Sequence, residues 1–215
     1  MERLVLIGGF TEGRTSLEAV GQAACTEQLV RDFDAFTMAE AVNNPDIIKK
    51  ASAGVILATH SAGLMAVEHD MSPDVLVAFC APEPKSPFQL AMSAIKKTKD
   101  HLADLSHRPE FRPEIGRVLA GNIAEASRHP LFYPRALGQI ARFSASEHIA
   151  NFTLAENGTR MVGKADARLD QFKFAKNNHD YLNQLGVELA IIDGGHDEIF
   201  LRTETVAETI IEMIS

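Results

Sequence analysis

A serine hydroxyl becomes a nucleophile when an imidazole takes its proton and a carboxylate steadies that imidazole. Ser61 is the serine best placed for this, within Gly54-Val55-Ile56-Leu57-Ala58-Thr59-His60-Ser61-Ala62-Gly63-Leu64-Met65-Ala66-Val67. The run from Val55 to Ala58 is apolar and partly β-branched, fit for a strand buried on both faces of a parallel sheet. An abrupt turn follows from Thr59 to Gly63, and the segment after it reads as a helix. Such a strand–turn–helix holds the serine at the carboxyl end of the strand. It also leaves the amide of Ala62 free at a helix N-terminus, able to face a developing oxyanion. His196 is the best base, because Asp193-Gly194-Gly195-His196 is a glycine-rich loop after the last expected strand. His60 immediately precedes the nucleophile and is expected to point away from it and pack. His179, in Asn177-Asn178-His179-Asp180, reads as a surface turn residue.

Thr59-His60-Ser61-Ala62-Gly63 resembles the Gly-x-Ser-x-Gly nucleophile elbow of the α/β-hydrolase superfamily, with Thr59 where the first glycine is usual. Gly8-Gly9-Phe10 resembles the His-Gly-aromatic oxyanion loop of the same family, with Gly8 in place of the histidine. The resemblance places the second oxyanion amide on Phe10. A plain strand-to-helix turn is the other reading of Gly8-Gly9, and the dinucleotide spacing G-x-G-x-x-G is absent. Gly163-Lys164-Ala165-Asp166 resembles the family's Gly-x-x-Asp acid turn, which implies Asp166 as the triad acid. Asp170, Asp193 and Asp197 remain rivals that only geometry separates. The order Ser61, Asp166, His196 matches the family order.

The resemblance implies a serine hydrolase that cleaves a small or medium ester or thioester through an acyl-enzyme, with no cofactor and no metal. Carbon–carbon bond hydrolysis and cofactor-free oxygenase or haloperoxidase-like chemistry are alternatives on the same fold. A third reading is a hydrolase-like binding protein without catalysis, in which Thr59 spoils the elbow.

Composition narrows the field. With 215 residues the chain can bury one sizeable core, and a single domain is expected. A net charge of -8 argues against nucleic acid as a partner, since phosphate contacts need a basic surface. Two cysteines, Cys25 and Cys80, are too few for a disulfide scaffold, and neither has metal-site spacing. No apolar run approaches the ~20 residues of a membrane-crossing helix, and the first residues lack a signal-peptide core. A cytoplasmic protein with a small-molecule substrate is expected, a homodimer being left open.

The elements that must position these residues alternate. Strands are expected at 4–7, 27–33, 55–58, 74–80, 158–163 and 186–192, and helices near 17–24, 37–42, 45–51, 174–185 and 199–214. That alternation implies a three-layer α/β/α architecture around a mostly parallel sheet of about six strands. Between Pro82 and residue 155 the pattern turns all-helical, with candidates at 88–105, 113–127, 134–143 and 147–154. This resembles the cap that many α/β-hydrolases insert over the active site. From Pro82 to Phe152 the segment carries a net +3, which can draw an anionic substrate, although a solvated helix face carries such charges routinely. His101, His107, His129 and His148 lie here too, and their spacing reads as surface or packing rather than metal ligation.

Overall fold

The computed structural model describes residues 2–82, 106–154, 160–166, 186–192 and 198–204, with Lys99, Ala103, Gln184, His196 and Ala207 besides. Six strands are formed, β1 (Glu2–Ile7), β2 (Val30–Phe36), β3 (Ile56–His60), β4 (Val75–Phe79), β5 (Arg160–Asp166) and β6 (Glu188–Ile192). Every pairing is parallel and the order across the sheet is β2-β1-β3-β4-β5-β6.

Strands β3 and β4 are buried at all five positions each, which is why they read as continuous apolar runs rather than alternating ones. Successive side chains still go to opposite faces. Leu4, Leu6, Ile56, Ala58, Val75 and Val77 enter one cluster, while Val5, Ile7, Leu57, Leu76 and Ala78 enter the other. Fully burying each such aliphatic side chain stabilises by roughly 1.5–3 kcal/mol before chain entropy is subtracted. Strand β2 sits at the edge, three residues later than the sequence suggests. There Asp32 and Asp34 pair with Arg3 of β1, so the open edge carries charge rather than apolar surface.

Helix α1 (Arg14–Thr26) covers the first face through Leu17, Val20 and Ala24. On the other face lie α2 (Met38–Asn43) and α3 (Pro45–Ala51), which contribute Ala41 and Ile48. Helix α2 starts at Thr37 because a capping box forms there. The Glu40 amide donates to Thr37 Oγ1 at 3.3 Å and the Thr37 amide to Glu40 Oε2 at 2.8 Å. Pro45 begins α3, where a missing amide proton costs nothing.

After β4 the described residues form α4 (Arg112–Arg128), α5 (Phe132–Ile140) and α6 (Ala145–Leu154). This helical segment turns back on itself, as the Ala145 amide at the start of α6 donates to the carbonyl of Pro82, just after β4, at 3.0 Å. Its helices divide among the layers. Val118 of α4 joins the α1 side, Ala145, Ile149 and Phe152 of α6 join the opposite side, and α5 lies against the turn that holds Ser61. A last helix, α7 (Glu198–Leu201), follows β6. The helix expected at 174–185, most of 88–105 and the end of 199–214 lie outside the described residues. No helix of the described residues is long and apolar enough to cross a membrane.

Candidate active site

The chain runs from β1 outward to β2, then crosses back over β1 to β3 and continues the other way. The strand order therefore reverses between β1 and β3, where parallel sheets open a crevice at their carboxyl ends. Gly8-Gly9-Phe10 leaves β1 there, and Ser61 leaves β3 beside it.

Ser61 has φ +51°, a left-handed conformation that a residue bearing Cβ adopts only under constraint. The constraint is visible in two glycines. A Cβ on Gly63 would lie 2.6 Å from the carbonyl oxygens of both Ile7 and Gly8, so the fifth position of the motif has to be bare for the turn to dock on β1. A Cβ on Gly9 would lie 2.6 Å from the Cβ of Ser61. Thr59 needs no such freedom, being an ordinary buried strand residue paired with Ile7 and Ala78. The strain of the turn thus falls on Ser61, and a β-branched residue at the first motif position does not obstruct it.

The segment after Ser61 is not the α-helix the sequence suggests. It is one 3₁₀ stretch, Ser61–Ala66, after which Val67 returns to extended backbone. In a 3₁₀ turn residues three apart eclipse, which sends Leu64 and Val67 together into the same core cluster. Ala62, expected to donate an oxyanion hydrogen bond, is buried at the start of this turn. Phe10, the other expected donor, packs with Ala62, Met38, Met65, Phe132, Ala136 and Ile140 in one apolar cluster beneath α5. Its ring meets Tyr133 edge-to-face at 5.1 Å. The Tyr133 hydroxyl donates to Glu125 Oε1 at 2.7 Å, and burial, with that carboxylate, pushes the phenol pKa well above its ordinary value.

His196 lies in the turn after β6, its ring 4.6 Å from that of His60, the residue before Ser61. Asp166 is the last residue of β5, in register with Ile192 at the end of β6. The backbone of Ser61, Asp166 and His196 thus falls at the carboxyl ends of β3, β5 and β6, on one rim of the sheet. The Asp166 side chain, and Asp170, Asp193, Asp197 and His179, lie outside what is described. Of the other histidines, His107 is exposed, His129 lies 3.7 Å from Glu125, and His148 is half-buried with its Nε2 2.8 Å from the Val67 carbonyl.

Three features escape the sequence. Glu12, in a polar-looking loop, is 1% exposed and meets both the Gly9 amide and His60 Nδ1 at 2.5 Å. His60, read as a packing residue, does pack on Phe200, yet it also hydrogen-bonds through both ring nitrogens. Cys80 follows β4 at φ +51°, and its sulfur lies within 4.8 Å of ring nitrogens of His60 and His196, a grouping that sequence spacing does not reveal. With both His60 nitrogens already hydrogen-bonded, that imidazole has no lone pair left over for an ion.

No family model matches the chain, and no curated protein matches it in sequence. Solved structures do match in shape. The enol-lactonase from Burkholderia xenovorans superposes with a TM-score of 0.64 at 11% identity, covering 99% of this chain and 91% of that one. MenH from S. aureus gives 0.63 at 11% identity, covering 99% and 93%. The thioesterase domain from the curacin biosynthetic pathway gives 0.53 at 12% identity, covering 98% and 90%. With the parallel sheet and its helical layers, these place the chain in the α/β-hydrolase fold.

Proposed function

We propose that this chain, an α/β-hydrolase by fold, is a serine hydrolase that cleaves a small or medium ester or thioester. The observation that carries the reading is the left-handed Ser61 on the turn after β3, backed by bare glycines at positions 9 and 63. That strain is held by the close approach of Gly9 and by Gly63 docked on β1, and a strained turn of this kind is how a nucleophile elbow presents its serine.

In this reading Ser61 Oγ attacks the carbonyl carbon while His196 accepts its proton and Asp166 steadies the imidazolium. The amides of Ala62 and Phe10 stabilise the tetrahedral oxyanion, each lowering the barrier by about 3 kcal/mol. His196 then protonates the leaving group, and water, deprotonated by the same imidazole, releases the acyl group. The partly exposed side chains of Phe10, Met65 and Phe132 near those amides favour an apolar acyl chain. A net +3 on the inserted helical segment favours an anionic group elsewhere on the substrate. Two cysteines, too few for a disulfide scaffold, fit a reducing, cytoplasmic setting.

A fluorophosphonate probe tests the proposal directly. Labelling that maps to Ser61 and vanishes in Ser61→Ala supports it. A folded, unlabelled wild-type protein supports the binding-module reading instead. A series of p-nitrophenyl esters of rising chain length then reads out the acyl preference.

A further inference from the structure

We infer that Glu12 and His60 are positioning residues that clamp the oxyanion loop and the His196 loop onto the nucleophile turn, an assignment that rests on the serine-hydrolase reading above. Both side chains are almost wholly buried, at 1% and 2% exposure, and neither has a part in the reaction as derived. A buried carboxylate and a buried imidazole are costly unless each polar atom finds a partner. Here each does. Glu12 Oε2 accepts the Gly9 amide at 2.5 Å, Glu12 Oε1 shares a proton with His60 Nδ1 at 2.5 Å, and His60 Nε2 meets the His196 carbonyl at 2.8 Å.

The hydrogen positions follow from the partners. A carbonyl oxygen only accepts, so His60 Nε2 carries a proton and donates it to His196. One further proton lies between Glu12 and His60 Nδ1, on whichever atom holds it. The result is one continuous chain, from the loop after β1 through the last residue of β3, next to Ser61, to the loop after β6.

Glu12 also acts through its backbone. Its amide donates to the Gly9 carbonyl at 3.3 Å, while its carboxylate holds the Gly9 amide. The Gly9 carbonyl and the Phe10 amide belong to one planar peptide and point opposite ways. Fixing that carbonyl on Glu12 therefore aims the Phe10 N–H away from Glu12. Gly9 cannot serve as the oxyanion donor, because its own proton is already taken. At the other end, the His60 donor fixes the backbone of His196, and so the origin from which the catalytic imidazole reaches. The groups facing the pair are the His196 and Phe200 rings and the Cys80 sulfur around His60, with Tyr133 the further titratable group in the field of Glu12.

The test uses Glu12→Ala, Glu12→Gln and His60→Leu, with p-nitrophenyl acetate as substrate and hydrogen exchange of the Gly9 amide as a second readout. A positioning role predicts that Glu12→Ala and His60→Leu lose about 100-fold in kcat while KM stays within about twofold. Glu12→Gln, whose amide can accept from Gly9 and donate to Nδ1, recovers most of that loss and keeps the Gly9 amide protected. Folded Glu12→Ala and His60→Leu proteins with wild-type kcat overturn the inference, and so does a loss in KM and melting temperature without a loss in kcat. Should either variant fail to fold, the wild-type protein decides, because rapid exchange of its Gly9 amide and its His60 Nε2 proton overturns the clamp. If wild type is never labelled at Ser61, the hydrolase reading fails separately, and with it the catalytic meaning of the clamp, whose geometry the exchange data still judge.

Discussion

Gly9 and Ser61 approach so closely that a Cβ on the glycine would stand 2.6 Å from that of the serine and 2.9 Å from the carbonyl oxygen of His60. Neither neighbour can rotate away, since one is a Cβ and the other is backbone. In Gly9→Ala the loop after β1 must therefore retreat from the turn, taking the Phe10 amide with it. A misplacement of about 1 Å is enough to reduce a catalytic rate ~100-fold. Fluorophosphonate labelling of Ser61 is expected to slow by at least about that factor, with the circular dichroism spectrum unchanged. Labelling at the wild-type rate would mean that the contact is irrelevant to the chemistry.

Ser61 itself stores strain. A non-glycine residue held in the left-handed region costs about 1 kcal/mol or more, and Ser61 sits at φ +51°. Ser61→Gly removes that strain together with the hydroxyl. Its unfolding midpoint in urea should rise by an amount worth about 1 kcal/mol, while Ser61→Ala, which keeps a Cβ, should gain little. Both variants lose labelling. A glycine variant no more stable than the alanine one would show that the turn is relaxed.

How much of this could be read from the chain alone depends on which force fixes each part. Strands β3 and β4 were legible because burial on both faces demands a continuous apolar run. The turn at Ser61 was legible from its glycine and from the strand before it. Its continuation was not, because an α-helix and a 3₁₀ turn share the same composition here, and only packing of Leu64 and Val67 into one cluster decides between them. Glu12 was illegible for a different reason. Thr11-Glu12-Gly13 looks like a solvated loop, and its burial depends on a partner 48 residues away in sequence. The grouping of Cys80 with His60 and His196 is likewise a product of strand order, not of local pattern.

Thr59 offers a test of the first motif position. Its hydroxyl oxygen is buried and finds no hydrogen-bond partner among the described residues, although the residue pairs normally within β3. A buried, unsatisfied hydroxyl costs about 1–3 kcal/mol, and a methyl group of the same shape removes the penalty. Thr59→Val should therefore raise stability by about 1 kcal/mol and leave Ser61 labelling intact. Thr59→Gly, which puts a glycine where the Gly-x-Ser-x-Gly pattern has one, should destabilise instead, since it empties a filled site in a central strand. Chemical denaturation of the two variants separates these outcomes. A stabilised glycine variant would contradict the finding that Thr59 is an unstrained strand residue.

His148 makes the fold sensitive to acid. It lies on α6, where its Nε2–H donates to the Val67 carbonyl at 2.8 Å, just beyond the turn that holds Ser61. Burial holds its pKa below the ordinary 6.5, and the neighbouring His69, with ring centroids 5.0 Å apart, pushes the same way. The Phe143 ring, 5.2 Å away, offers it no compensating charge. The sign follows from proton counting. Above 6.5 both folded and unfolded forms are neutral at this position, so the group is without effect. As pH falls through 6.5 the unfolded chain takes up a proton that the folded protein refuses, and stability drops until the lower folded pKa is reached. In His148→Gln the side-chain amide can still donate to Val67, but it does not titrate. The urea midpoint of wild type should therefore fall more than that of His148→Gln between about pH 7.5 and pH 5.5. Parallel declines for the two proteins would place the acid sensitivity elsewhere.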